Sequence, residues 1–317
     1  MSKRLLGWFF RKFDCRGFFG IRWVMVWLMN VDVQQSAGQP STGTRQWPAS
    51  LKLRFANAGA GTELSAMEHR GPLRVQRLFH PPPGSCAHCY ILHPPGGVVL
   101  GDELDIQIET LGGNALLTST SASRFYGTGS FLEPQCQSIR LKAGGGVLQW
   151  LPQETILFNG SNAKLDTRIE IGAKAHLVYW DVLVLGMPAC GSPFESGQVE
   201  QTLSIQSENG LLLKERLALQ SGDRLASGAL GLAEASTVGT FVSNLPLDRS
   251  IREQWLGEVE KLDREGVFSI TAKGELIIAR YRGDDAYLCR RGFSLLWQTA
   301  WCATFGEQPS EPRIWHT

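Results

Sequence analysis

From Trp47 onward the chain contains short stretches in which apolar and polar residues alternate: Leu51-Lys52-Leu53-Arg54-Phe55, Leu104-Asp105-Ile106-Gln107-Ile108 and Ile139-Arg140-Leu141-Lys142. A period of two places the apolar side chains on one face of an extended segment, so each stretch predicts a half-buried strand. Glycine-rich punctuation separates the strands at Ala58 to Gly61, Gly112-Gly113 and Gly144 to Gly146. The period changes near the C-terminus. After Pro246 and the capping residue Asp248, the apolar residues Ile251, Trp255, Val259 and Leu262 recur at helical spacing, which predicts an amphipathic helix. Two more strand-like pieces follow, Val267 to Thr271 and Leu276 to Tyr281. Asp284-Asp285 then predicts the start of a second helix through Leu288, Leu295, Leu296 and Trp301. The expected fold class is therefore mainly β: one large, many-stranded body with two α-helices near the C-terminus. No fixed-period repeat demonstrates a solenoid, although many short strands without long crossover helices permit one.

Residues 1–44 do not share this pattern. Lys3, Arg4, Arg11, Lys12, Arg16 and Arg22 precede the apolar run Trp23 to Leu28, which superficially resembles a secretory signal. The run is far shorter than the roughly 20 residues that span a bilayer, and no Ala-x-Ala site follows it. Residues 34–46 are rich in Ser, Gly, Gln, Thr and Pro, as in a linker. The expected organisation is a basic, aromatic extension and linker over 1–44 and a single β-rich domain over 45–317. The extension is read as disordered or as lying upstream of the true start, with Met25 and Met29 as alternative starts.

Composition narrows the function classes. A hydrophobic content of 43% with 19% charged residues describes a chain that buries a sizeable core. Lys+Arg of 31 against Asp+Glu of 30 leaves a net charge of +1, with no long-range field to collect nucleic acid or anionic lipid. The 7 cysteines are odd in number and scattered through 317 residues, which favours reduced thiols and the cytosol.

The densest candidate chemistry is "SCAHCYILHPPGG" at 85–97, with Cys86, His88, Cys89 and His93 within eight positions. Cys-x-x-Cys is half of a common zinc pattern, but no second such pair and no His-x(3–5)-His pair occurs outside this stretch. Ala87 to Leu92 reads as a strand, on which Cys86, His88 and Tyr90 point one way and Cys89, Ile91 and His93 the other. The four ligands then share no ion, unless the segment begins as a turn after Gly84. The burial habits of free cysteine favour a buried strand with small hydrophobic thiols. The chain has no Gly-x-Ser-x-Gly elbow, His-Glu-x-x-His, P-loop or dinucleotide fingerprint. The acids Asp102, Glu103 and Asp105 flank a turn before a strand, where solvation is the commoner role than acid–base work. In Pro94-Pro95-Gly96-Gly97, prolines that fix φ and glycines that permit positive φ predict a rigid reversal, with His93 and Asp102 on either side.

The motifs taken together resemble the urease accessory protein UreD (UreH) family. The resemblance runs from about Trp47 to the last residue and rests on "HRGPLRVQRLFHP" at 69–81, "CYILHPPGGVVLGDELDI" at 89–106, "SASRFYG" at 121–127, "LPQETILFNGSNA" at 151–163, "WDVLVLGMPACGSPF" at 180–194 and the terminal "PRIWHT". It implies a stacked, β-helix-like body and a non-enzymatic scaffold. Such a scaffold binds apo-urease subunits and recruits the helical accessory protein UreF. Through UreF it engages the nickel-binding GTPase UreG and assists GTP-dependent nickel delivery, in part through an internal conduit. It has no catalytic residue and no stably bound cofactor, because nickel is in transit. Three positions depart from the family pattern: Leu100-Gly101-Asp102 for Gly-Gly-Asp, Met187 for Arg in Gly-Arg-Pro, and Gly191-Ser192 for Gly-Glu. The lost Arg and Glu are read as former partners of each other.

A complete set of nitrogen, oxygen or sulfur ligands would trap nickel. A conduit needs separate carboxylates, hydroxyls and carbonyls, each replacing only part of the hydration shell. On this argument Asp102, Ser123, Glu154 and Asp181, acids or hydroxyls within the matching motifs, are the candidates for a transient nickel path, ahead of His88 and His93. The competing reading is an independent metal-dependent enzyme or metal-binding protein using Cys86, His88, Cys89 and His93.

Overall fold

A computed structural model describes residues 48–59, 61–82, 86–127, 133–263 and 265–316. The expectations for residues 1–44, and for a turn directly after Gly84, lie outside the described residues. Numbered in chain order, the strands form two sheets. The first is seven-stranded: β1 (Pro48–Asn57), β2 (Thr62–Arg70), β5 (Glu103–Thr110), β8 (Gln135–Ala143), β11 (Ser161–Ile171), β13 (Gly197–Ser207) and β14 (Gly210–Gln220). The second contains β3 (Arg74–Val75), β4 (Cys86–Leu92), β6 (Asn114–Ser119), β9 (Gly146–Trp150), β12 (Ala175–Leu185), β15 (Thr237–Ser243), β16 (Val267–Lys273) and β17 (Leu276–Gly283). Two short strands, β7 (Ser123–Phe125) and β10 (Thr155–Leu157), attach to it beside β12.

Between β4 and β13 the chain passes alternately through the two sheets, and each new strand lies parallel to its predecessor in the same sheet. This is a stacked coil of the β-helix kind, as the resemblance implies. β7, β10 and the end of β12 pair in parallel as a narrow third side. In the second sheet Cys86 pairs with Asn114, Asn114 with Val147 and Val147 with His176, so successive coils advance by 28, 33 and 29 residues. These unequal steps explain why the sequence shows no fixed period. The coils keep register through stacked glycine turns. At Gly146, with φ +69°, a Cβ would lie 1.7 Å from the Gly113 carbonyl oxygen, a position only glycine can fill.

The strands read from alternation are all present. β1 buries Leu51, Leu53 and Phe55 and exposes Lys52 and Arg54. The space between the sheets holds one apolar core that includes these residues together with Cys89, Ile106, Ile139 and Tyr179. A second core lies on the other face of the second sheet, beneath α2 (Arg249–Leu262) and α3 (Ala286–Phe305). The second sheet is thus buried on both faces, the usual condition of parallel strands. β12 shows the division: Leu177, Tyr179 and Leu183 enter the inner core, while Val178, Trp180 and Val182 enter the outer one.

Both predicted helices are present, with two differences of detail. Asp248 is the N-cap of α2 but makes no side-chain capping bond, and its carbonyl accepts the Arg252 N–H instead. In the pair Asp284-Asp285, only Asp285 caps α3, accepting from the Leu288 N–H at 3.0 Å; Asp284 accepts the Ser236 N–H and O–H. The buried stripe of α3 is Cys289, Phe293, Leu296, Trp297, Ala300 and Trp301, whereas Leu288 and Leu295 are half-buried at its margin. An additional one-turn helix, α1 (Arg224–Ser227), is capped by Asp223 and was not legible beforehand. Among the described residues, no helix is long and apolar enough to cross a membrane.

Candidate functional site

The two sheets enclose a cavity of about 90 Å³, room for a few water molecules. Among the described residues its walls mix core aliphatics with hydroxyls and amides from Ser119, Ser123, Gln137, Gln153, Thr155, Thr167 and Gln201, with the charged side chain of Arg124, and with one carboxylate, Asp181. Thr167, Asp181 and Gln201 face inward because they occupy the same alternation positions as apolar neighbours on β11, β12 and β13. Among the candidates read from the sequence, Asp181, Ser123 and His93 line this single cavity.

Asp181 accepts a hydrogen bond from the Tyr179 hydroxyl at 2.6 Å. The two residues are two apart on β12, which places them on one face of the strand. Burial is the main cause that pushes the Asp181 pKa up to about 6, against the hydrogen bonds from Tyr179 and Gln201 and the field of Arg280. The Tyr179 hydroxyl is itself held well above its usual pKa, by burial first and then by Asp181. Asp181, Thr240 and Arg280 occupy one row across β12, β15 and β17, and Arg280 forms an ion pair with Glu215 of the first sheet. Tyr179 was legible from strand alternation. Arg280 and Glu215 were not, because nothing local announces a pairing between sheets.

Asp102 and Glu154 sit elsewhere. Asp102 closes a turn: its Oδ2 accepts from the Val99 N–H at 3.0 Å, and it does not line the cavity. Glu154 is not a separate carboxylate, since Arg290 of α3 lies 2.5 Å from its Oε1; its carbonyl accepts the Ser123 N–H at 2.8 Å. Ser123 begins β7, and its pairing with Thr155 of β10 fixes it at the cavity wall. His93 follows β4 at the tight turn, where burial lowers its pKa and nearby Asp102 opposes that shift.

β4 is extended from Cys86, and its two faces enter different cores. Cys86 packs on the helix side near Gln149, and Cys89 lies in the inner core. His88 is on the Cys86 face in a small pocket with Trp297, while His93 reaches the inner cavity. Burial raises both thiols to about 12 and lowers His88 to about 4, with His80 adding to the latter. At neutral pH these are two thiols and a neutral imidazole, poor starting material for a thiolate metal site. Cys86, Cys89, Cys136, Cys190, Cys289 and Cys302 are all free.

In the Pro94–Gly97 reversal the two glycines have different reasons. Gly96 adopts φ +78°, whereas Gly97 lies under the Tyr126 ring, where a Cβ would come within 2.1 Å of the ring edge and 3.0 Å of the Arg124 carbonyl. Gly97→Val is therefore expected to displace Tyr126 from its packing on Phe158 and to lower the yield of folded protein. A melting temperature equal to that of the parent would count against this. Met187 and Ser192, both read above as departures from the resembled pattern, bond to each other across an isolated antiparallel bridge, N–H to carbonyl at 2.7 and 3.2 Å. The two departures are thus cross-strand neighbours.

The chain is 38% identical over 279 residues to the urease accessory protein UreD of Saccharophagus degradans, covering 86% of this chain and 94% of that one. It is also 38% identical over 273 residues to the urease accessory protein UreD of Klebsiella aerogenes, covering 86% and 97%. A family model described as UreD urease accessory protein matches residues 48–316, every strand of both sheets, and the chain belongs to the UreD urease accessory protein family.

Proposed function

We propose that this chain is a cytosolic scaffold for urease maturation. It binds apo-urease subunits, recruits UreF and through it UreG, and lets Ni²⁺ pass toward the urease active site by way of the cavity between its sheets, without turnover of its own. Membership of the family supports the maturation role, and the cavity supports the conduit. Among the described residues the cavity wall presents hydroxyls and amides, the His93 imidazole, the Arg124 guanidinium and one carboxylate, Asp181, rather than a closed set of ligands. A hydrated dication moving along such a wall exchanges part of its shell at each step and is never fully coordinated. Asp181 supplies the negative charge, and a passing cation favours its ionised form.

The decisive experiment co-expresses urease with its accessory proteins, with and without this chain, and measures urease activity and nickel per active site. Loss of both without the chain, together with co-purification of this chain with urease, is expected. Full activation in its absence would sink the proposal. The competing reading, an independent metal enzyme, depends on the thiols of β4. The double variant Cys86→Ser, Cys89→Ala is expected to activate urease as the parent does; loss of activation in a folded variant would favour that reading.

A further inference from the structure

The extended stretch from Pro152 to Thr155 separates the inner cavity from the outside. Pro152, Gln153 and Thr155 line the cavity. On the opposite side is a surface pocket of about 110 Å³ formed by Trp180, Arg290, Glu311, Trp315 and neighbouring residues. The outer layer reaches the wall through two side chains. The Trp180 indole N–H donates to the Pro152 carbonyl at 2.9 Å. Arg290 grips two successive residues, donating from Nη1 to Gln153 Oε1 at 2.5 Å and placing Nε 2.5 Å from Glu154 Oε1.

The Arg290–Glu154 contact differs from the surface ion pairs of the first sheet. Its side chains are only 20% and 15% exposed, against 50% and 35% for Arg140–Asp105. Among the described residues the buried Nε of Arg290 has no aligned hydrogen-bond acceptor, so charge rather than directed bonding holds the contact. A carboxylate this poorly hydrated depends on its single cation. A dication with twice the charge is a natural competitor for that place.

We propose that this wall is where the cargo cation crosses between the outer surface and the cavity, and that Arg290 is the positioning residue that keeps it shut. The guanidinium neutralises Glu154 and pins Gln153. A divalent cation opens the wall by taking the Glu154 carboxylate in place of Arg290, whose displaced side chain has the outer pocket to occupy, beside Glu311, which already accepts from Ser294 and Gln298 and pairs with His316. The inference rests on the reading of the cavity as a cation conduit. It adds a crossing point, a gating pair and a reason why Glu154 is paired while Asp181 is not.

The test titrates the purified full-length chain with NiCl2 and measures urease activation in co-expression. Arg290→Met is expected to tighten Ni²⁺ binding about tenfold by leaving Glu154 without a counter-charge. Adding Glu154→Gln should abolish the gain, and Arg290→Lys should restore parental binding. Glu154→Gln alone, nearly isosteric but leaving Arg290 without its counter-charge, should fold with a lowered melting temperature and slow activation. Equal Ni²⁺ binding by the parent and folded Arg290→Met would overturn the latch, and so would normal activation by Glu154→Gln. The second result decides the matter even where Arg290→Met does not fold. If the conduit reading itself is wrong, Asp181→Asn also activates normally. If only the latch is wrong, Asp181→Asn is impaired and Glu154→Gln is not.

Discussion

Asp181→Asn is expected to stabilise this protein at pH 8 and to remove its contribution to urease activation. The folded-state pKa of Asp181, about 6, lies above the ordinary 3.8, so folding favours the protonated acid. Well below pH 4 the group is neutral in both the folded and unfolded states and carries no penalty. As the pH rises through 6, the folded protein has to ionise a carboxylate that the unfolded chain has already ionised in water. At about 1.4 kcal/mol per unit, the cost above that range is roughly 3 kcal/mol. Asparagine keeps the shape and can still accept from Tyr179, but it has no charge to desolvate. The melting-temperature difference between variant and parent should therefore be small at pH 4 and widen to several degrees by pH 8. A difference that does not vary with pH would contradict the assignment. If the carboxylate serves cation passage, the more stable variant should yield urease with little nickel. Greater stability with less function is the usual outcome when a strained functional group is removed.

Trp297→Ala is expected to unfold the helical layer or leave the protein insoluble. Trp297 is fully buried on α3, and its indole N–H donates to Gln149 Oε1 at 2.8 Å; Gln149 is also buried, on β9, and donates in turn to the Cys86 sulfur. Its ring packs edge-on against Trp315, which packs at a tilt against Trp180, whose own N–H holds Pro152. The substitution opens a cavity costing about 3–5 kcal/mol. It also strands a buried amide oxygen for about 1–3 kcal/mol more. A loss of that size is a large share of the roughly 5–15 kcal/mol that holds a typical domain folded. Trp297→Phe keeps most of the packing and loses only the hydrogen bond, so denaturant unfolding should place it between parent and alanine variant. An alanine variant within about 1 kcal/mol of the parent would show that the tryptophan relay is not structural.

The stretch at 85–97 shows how far local pattern carries. Alternation correctly divides Cys86 and His88 from Cys89, because a strand has only two faces. It does not reveal that both faces are buried, since the second burial is supplied by α2 and α3, more than 150 residues further on. The same limit applies to α3, where apolar residues flank the stripe and the spacing alone misplaces its centre by one position. Ser123 and Asp181 were found through the motifs that contain them, and Tyr179 follows from Asp181 by alternation. The pairing of Glu154 with Arg290 spans 136 positions and carries no local signal, so a carboxylate read as free proves to be held.

Taken alone, the amino-acid sequence determined six of the strands, both long helices, the tight turn at Pro94–Gly97 and a family resemblance, because periodicity, capping and motif order are properties of neighbouring residues. Only the tertiary structure decided that the strands coil alternately through two sheets in unequal steps, that Asp181 faces a cavity, and that Met187 meets Ser192. It alone placed Arg290 against the cavity wall. The physical reason is that alternation states which side of a strand avoids water, whereas strand partners, enclosed space and buried charge pairs depend on register between segments far apart in the chain.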